Sequence, residues 1–193
     1  MLSGLPAVIR RYRERYPAVS FTLREMATSA IESATASGEV DLGFLREAAT
    51  VPPLVSKILY TEPVLTVLPK SHRLAGRAAI KLNTLRDEPF VFFPRRLGPA
   101  LHDRLISLCV SAGFTPKIVE EATQWQTVIS LVEAGMGVTL APACVRKFRW
   151  PQVVFKPLAG ATTSVSACWH ENGLSPTGSA FLTMAKPAAG VTP

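Results

Sequence analysis

The sequence predicts an α/β protein built as two successive lobes, and three observations carry that prediction. Between residues 18 and 46, apolar alternation gives way to a helical period and then to a short apolar run. Only brief turns separate them, which is the pattern of a βαβ unit. From Leu85 the alternation of strand and helix starts again. The 193 residues, 48% apolar and 18% charged, supply enough material for one large domain or two small ones with cores of their own. The pattern yields the number of lobes, but it does not say which segments return to which lobe.

Each element has a local cause. "LPAVIRRYRERYP" reads as a helix: Leu5, Val8, Ile9, Tyr12 and Tyr16 share one face, Arg10, Arg11, Arg13 and Glu14 lie largely off it, and Pro17 stops it. In "AVSFTLREM", Val19, Phe21 and Leu23 alternate with Ser20, Thr22 and Arg24, so a strand with one buried face is expected. "TSAIESATASG" predicts a second helix. Thr28 and Ser29 are its N-cap candidates, Glu32 stands where a capping box with Ser29 needs it, and Gly38 suits the C-terminal turn. "VDLGFL", apolar on both faces apart from Asp41, is expected as an interior parallel strand.

"LVSKILY" and "PVLTVLP" continue as two extended segments. Beyond Leu85 come the strand "PFVFF", the helix "PALHDRLISLCVSAG" ending at Gly113, and the strand "PKIVEE". The helix "QWQTVISLVEAG" ends at Gly135 and is followed by the strand "GVTLAP" and a short helix, "ACVRKF". Strands "VVFKPL" and "SVSACW" and a final helix "PTGSAFLTMA" complete the pattern, with "KPAAGVTP" expected to fray. No repeat of solenoid period occurs.

Composition narrows the classes. A net charge of +7 and a pI of about 9.7 suit nucleic acid, an acidic membrane surface, anionic ligands, or simply a solvated surface rich in arginine. Cys109, Cys144 and Cys168 are odd in number, far apart and form no CxxC pair. This argues against a disulfide framework or zinc site and for buried thiols in a reducing cytoplasm. The N-terminus lacks the apolar core of a signal peptide, and no run approaches a membrane span, so a cytoplasmic location is expected.

Enzyme motifs fail one by one. "GMGVTL" has Gly135 and Gly137 but no third glycine, and it follows a helix rather than a strand. There is no Walker loop and no GxSxG elbow. His72, His102 and His170 are not spaced as metal ligands, and His102 reads as a packing or surface residue of its helix. The carboxylates form no convincing acid/base couple. The expectation is no catalytic residue, no metal and no cofactor.

Features for binding an anion do converge. In doubly wound sheets, ligands sit beyond the carboxyl ends of the strands. Arg46 follows "VDLGFL" at such an end; Thr28 and Ser29 follow "SFTLREM" at another and also begin a helix, whose free N–H groups favour an anion. "EEATQWQTV" repeats the arrangement, with Trp125 offering an apolar wall and Gln126 a hydrogen bond. Each residue has a plainer reading: Thr28 as a helix cap, Arg46 as a surface arginine paired with Glu47, Trp125 as packing. Their joint placement at strand ends favours the ligand.

The order of motifs resembles one family. "LPAVIRRYRERYPAVSFTLREMATS" followed by "GEVDLGFLR", then "EPVLTVLPKSHRLAG" and "VISLVEAGMGVTLAPA", is similar to the effector-binding region of LysR-type transcriptional regulators. The resemblance runs from Leu5 to about Met184 and is nearest to the branch that senses intermediates of aromatic catabolism. It implies a periplasmic-binding-protein-like fold, two Rossmann-like α/β lobes joined by two crossover strands. Lobe I would hold residues 1–62 and 164–193, and lobe II residues 63–163. The resemblance places an inducer, an organic anion expected to be a carboxylate, between the lobes. It assigns Thr28, Arg46, Trp125 and Gln126 to the inducer and adds Pro94 and Arg95 from a further loop.

It also implies a homodimer or homotetramer, with the first helix and "SFTLRE" on the dimerisation surface. Operator DNA would be read only through an N-terminal winged helix-turn-helix, which is absent from this chain together with the family's first lobe I strand. Arg73 departs from the family, which usually has proline after His72. The alternative from another class is a free-standing solute-binding protein of a transport system, for which an export signal is expected.

Overall fold

A computed structural model describes residues 4–48 and 52–185; the tail segment "KPAAGVTP" lies outside them. The chain divides into two compact units, Met1–Thr61 with Ser164–Pro193, and Glu62–Thr163. Both boundaries fall inside long strands. The segments "LVSKILY" and "PVLTVLP" form one strand, β2 (Leu54–Pro69), and "VVFKPL" and "SVSACW" likewise form one, β6 (Val153–His170).

In the first unit the arginine-rich segment folds as α1 (Leu5–Arg15) and buries Val8 and Tyr12. It packs against α5 (Pro176–Ala185). The Tyr12 ring meets Phe181 and Phe21 edge-on at centroid distances of 5.2 Å, and its hydroxyl donates to the Thr177 carbonyl at 2.9 Å. Arg11 donates to the Met184 carbonyl, so one of the off-face arginines also ties the two helices together.

Residues 19–27 correct one expectation. Val19 and Phe21 do pack on the α1–α5 cluster, but residues 19–27 join no ladder and Leu23 is 65% exposed. Alternation places side chains; a strand also needs a neighbour for its backbone groups, and the described residues present none there.

The capping box is the second correction. Helix α2 (Thr28–Ala36) has Ala27 at its N-cap and no side-chain cap bond, so Thr28 and Ser29 sit in its first turn and Glu32 closes no box. The third concerns β1 (Gly43–Arg46), which is shorter than "VDLGFL". It pairs antiparallel with β6, from Gly43 opposite Cys168 to Arg46 opposite Val165, and it ends the order β1-β6-β2-β5. An apolar run shows that both faces are covered, not which way its neighbour runs. At Gly43 a Cβ would lie 2.6 Å from Ile31 Cγ2 and 2.7 Å from Cys168 Sγ, so glycine is what lets α2 close onto the strand.

The second unit follows its sequence more closely. Strand β3 (Pro89–Phe92), helix α3 (Pro99–Ser111) and parallel strand β4 (Lys117–Glu121) form a βαβ unit. Helix α4 (Trp125–Glu133) leads to β5 (Thr139–Pro142), which pairs antiparallel with β2. "ACVRKF" makes a 3-10 turn rather than an α-helix.

Period-two alternation then builds the core on both faces. Phe90 and Phe92 join Val64, Leu68, Leu105 and Leu140 on one side; Val91 joins Val67, Val128, Ile129, Val132 and Ala141 on the other. Val138 N–H donates to the Pro89 carbonyl at 2.8 Å and Val91 N–H to the Val138 carbonyl at 2.9 Å. A Cβ on Gly137 would stand 2.4 Å from that Pro89 oxygen, which is why glycine precedes Val138. All three cysteines are free and buried. No helix among the described residues is long and apolar enough to cross a membrane.

Candidate functional site

The sequence-derived residues divide between the two units. In the first, α2 packs against β1, so the helix that begins at Thr28 lies on the strand that ends at Arg46. Thr28 and Arg46 are half-buried, while Ser29 is exposed. With Ala27 as N-cap and no side-chain cap bond, the first turn of α2 keeps its backbone donors uncapped by side chains. Glu47, at φ +50°, binds the backbone of β6 twice: its N–H donates to the Ser164 carbonyl at 3.2 Å, and its carboxylate accepts the Ser164 N–H at 2.6 Å. That carboxylate is therefore committed to Ser164, and the turn after Arg46 is held in place by it.

In the second unit the structure brings Trp125 and the Pro94–Arg95 loop together through residues the sequence reading did not single out. Trp125 opens α4, after the end of β4, and its ring lies 5.2 Å from that of Phe93 at 60°. Phe93 follows β3 and meets the buried His102 ring at 5.7 Å, nearly perpendicular. Pro94 is buried and caps a 3-10 turn, Arg95–Leu97. Arg95 is exposed and makes a two-pronged bond to Asp103, Nε to Oδ1 at 2.7 Å and Nη2 to Oδ2 at 2.6 Å. This bond holds the Asp103 carboxyl below its usual range, and Asp103 in turn raises Arg95. His102 Nδ1 stands 3.4 Å from Asp103 Oδ1.

Trp125, Phe93, His102, Asp103 and Arg95 thus form one connected set, and Gln126 is exposed beside it. His102 is a packing residue, as its helix pattern implied. Phe93 and Asp103 carried only weak signals: an aromatic directly before a proline-arginine turn, and a carboxylate eight residues beyond Arg95, about one turn into α3. Elsewhere in this unit Arg73, the departure after His72, donates to Glu88 Oε1 through Nε and Nη2 and to the Thr84 carbonyl at 3.0 Å. It closes a loop that carries none of the site residues. Among the described residues no group of three or more metal-ligating side chains comes together.

Known proteins resemble this chain over nearly its whole length. The family model described as "LysR substrate binding domain" matches residues 2–190. The transcriptional regulator AlsR of Bacillus subtilis (strain 168) is 38% identical over 148 residues, which is 74% of this chain and 47% of AlsR. IlvR of Caulobacter vibrioides, also a transcriptional regulator, is 34% identical over 188 residues, 91% of this chain and 60% of IlvR. The chain therefore spans about half to three-fifths of these relatives. Among solved structures, the BenM effector-binding domain with its effector benzoate superposes with a TM-score of 0.85 at 26% identity, covering 94% of this chain and 84% of that one.

Proposed function

The chain belongs to the LysR substrate-binding domain family, and we propose that it is the inducer-sensing and oligomerisation domain of a cytoplasmic LysR-type transcriptional regulator whose inducer is a small organic anion, a carboxylate. One observation carries the reading. Each unit places an arginine at or just after the end of a strand that a helix adjoins: Arg46 closes β1, on which α2 packs, and Arg95 follows β3 and Phe93, whose ring meets Trp125 at the start of α4. A guanidinium and uncapped helical N–H groups are complementary to carboxylate oxygens. The BenM domain solved with benzoate supports that chemistry.

In this reading, residues 1–62 and 164–193 form lobe I and residues 63–163 lobe II. Thr28, Ser29 and Arg46 serve the inducer from lobe I, and Pro94, Arg95, Trp125 and Gln126 from lobe II. The inducer shifts the population of regulator conformations, and DNA-binding domains outside this chain report the shift. Moving such an equilibrium from about 1:99 to 99:1 takes roughly 5.5 kcal/mol of differential affinity. Homodimers or homotetramers form, and operator DNA is contacted only through the N-terminal domain.

A thermal-shift screen with aromatic and aliphatic carboxylates tests the proposal on wild type and Arg46→Ala. Stabilisation of wild type by one chemical class, weakened in the variant, is the expected result. Equal shifts in both remove Arg46 from the site, and no shift with any carboxylate overturns the choice of inducer class. A strictly monomeric sizing profile overturns the oligomerisation role.

A further inference from the structure

The Arg95–Asp103 pair adds nothing obvious to the fold. Both side chains are more than half exposed, at 63% and 51%, where an ion pair contributes little to stability. Its geometry is nevertheless well defined: both carboxylate oxygens are engaged by one guanidinium, and Oδ1 is also flanked by His102. His102 is itself held edge-on between Phe92 at 5.6 Å and Phe93 at 5.7 Å. What the pair does change is charge. Arg95 and Arg96 stand together on the turn that follows β3, and Asp103 cancels one of the two.

Accepting that this turn faces the inducer, we propose that Asp103 is a specificity-determining residue. By occupying the Nε/Nη2 edge of Arg95, it leaves the turn with one net positive charge rather than two and so favours ligands bearing one carboxylate over ligands bearing two. It acts through Arg95 and does not itself touch the ligand. A first carboxylate has the Nη1/Nη2 edge of Arg95 open to it, whereas a second has to compete with Asp103 for the Nε/Nη2 edge.

Asp103→Asn keeps the size and one acceptor oxygen but removes the charge. Benzoate and benzene-1,3-dicarboxylate, which share a ring, are titrated calorimetrically at low ionic strength into wild type, Asp103→Asn and Asp103→Glu. The Asn variant is expected to shift preference toward the dicarboxylate by roughly five-fold, an effect sized for a screened surface charge, and to lose part of that gain in added salt. The Glu variant is expected to restore the wild-type ratio, which simple damage to the loop could not do.

An unchanged ratio in the Asn variant, or an equal shift in the Glu variant, overturns the proposal while leaving the inducer reading intact. Should no variant bind either ring acid, the inducer class is wrong, and inorganic phosphate followed by the Arg95 Nε–H NMR signal decides the rest. Tighter phosphate binding in the Asn variant than in wild type sustains the charge-setting role, and equal binding overturns it.

Discussion

Thr66 is a polar residue set in the apolar core of the second unit. It is fully buried on β2 between Val64 and Leu68, and its hydroxyl has no hydrogen-bond partner. A hydroxyl left unpaired in an apolar core costs about 1–3 kcal/mol of desolvation. Thr66→Val keeps the β-branched shape and removes the oxygen, so it is expected to raise stability by about 1 kcal/mol. A urea midpoint equal to or below wild type would refute this. Cys109 makes the complementary case. Burial pushes its thiol up to about 12 from an ordinary 9.0. In the pH window between those values the folded chain holds a proton that the unfolded chain has released. Stability attributable to this thiol is therefore full below pH 9 and falls as pH rises toward 12, by at most about 1.4 kcal/mol per unit. Thiolate absorbance at pH 10 should be lower for the folded protein than for the urea-unfolded chain, and a native thiolate signal matching the unfolded one would contradict the assignment.

At the scale of elements, Tyr12 joins α1 to α5 in two ways. Tyr12 is 1% exposed and contributes both ring contacts and a hydroxyl bond. The two contributions separate by substitution. Tyr12→Phe keeps the ring and is expected to cost about 1 kcal/mol, whereas Tyr12→Ala opens a cavity and costs about 3–5 kcal/mol. Chemical denaturation of the pair checks this, and equal losses would mean that the ring packing is not what joins the helices. The helices were legible because a 3.6-residue period and its stops are local: α1, α3 and α4 fall where Leu5, Pro99 and Gly135 direct them. The strands were less so. Residues 19–27 have the right alternation and no ladder, and β1 has the right apolar run and an antiparallel partner. Neither the presence nor the direction of a neighbour is written in a strand's own residues.

At the scale of the whole molecule, the family and the α/β class were legible in ordered motifs. Ligand binding links to global stability. A ligand at about 100 times its dissociation constant raises stability by roughly 2.7 kcal/mol. For wild type, the melting temperature should therefore keep rising with the logarithm of carboxylate concentration, and in Arg46→Ala the same curve should move to higher concentration. Superimposable curves would take Arg46 out of the linkage. The relation holds for any inducer of the folded state and needs no assumption about its shape.

The sequence by itself determined where α1, α3 and α4 lie and that the runs around Phe90 and Val64 are buried. These are properties of a few neighbouring residues. Only the tertiary structure decided that Asp103 holds Arg95, that Phe93 and His102 connect it to Trp125, and that β1 runs against β6. Those pairings join groups from separate elements. Their energies depend on distance and burial, and both exist only once the chain has folded.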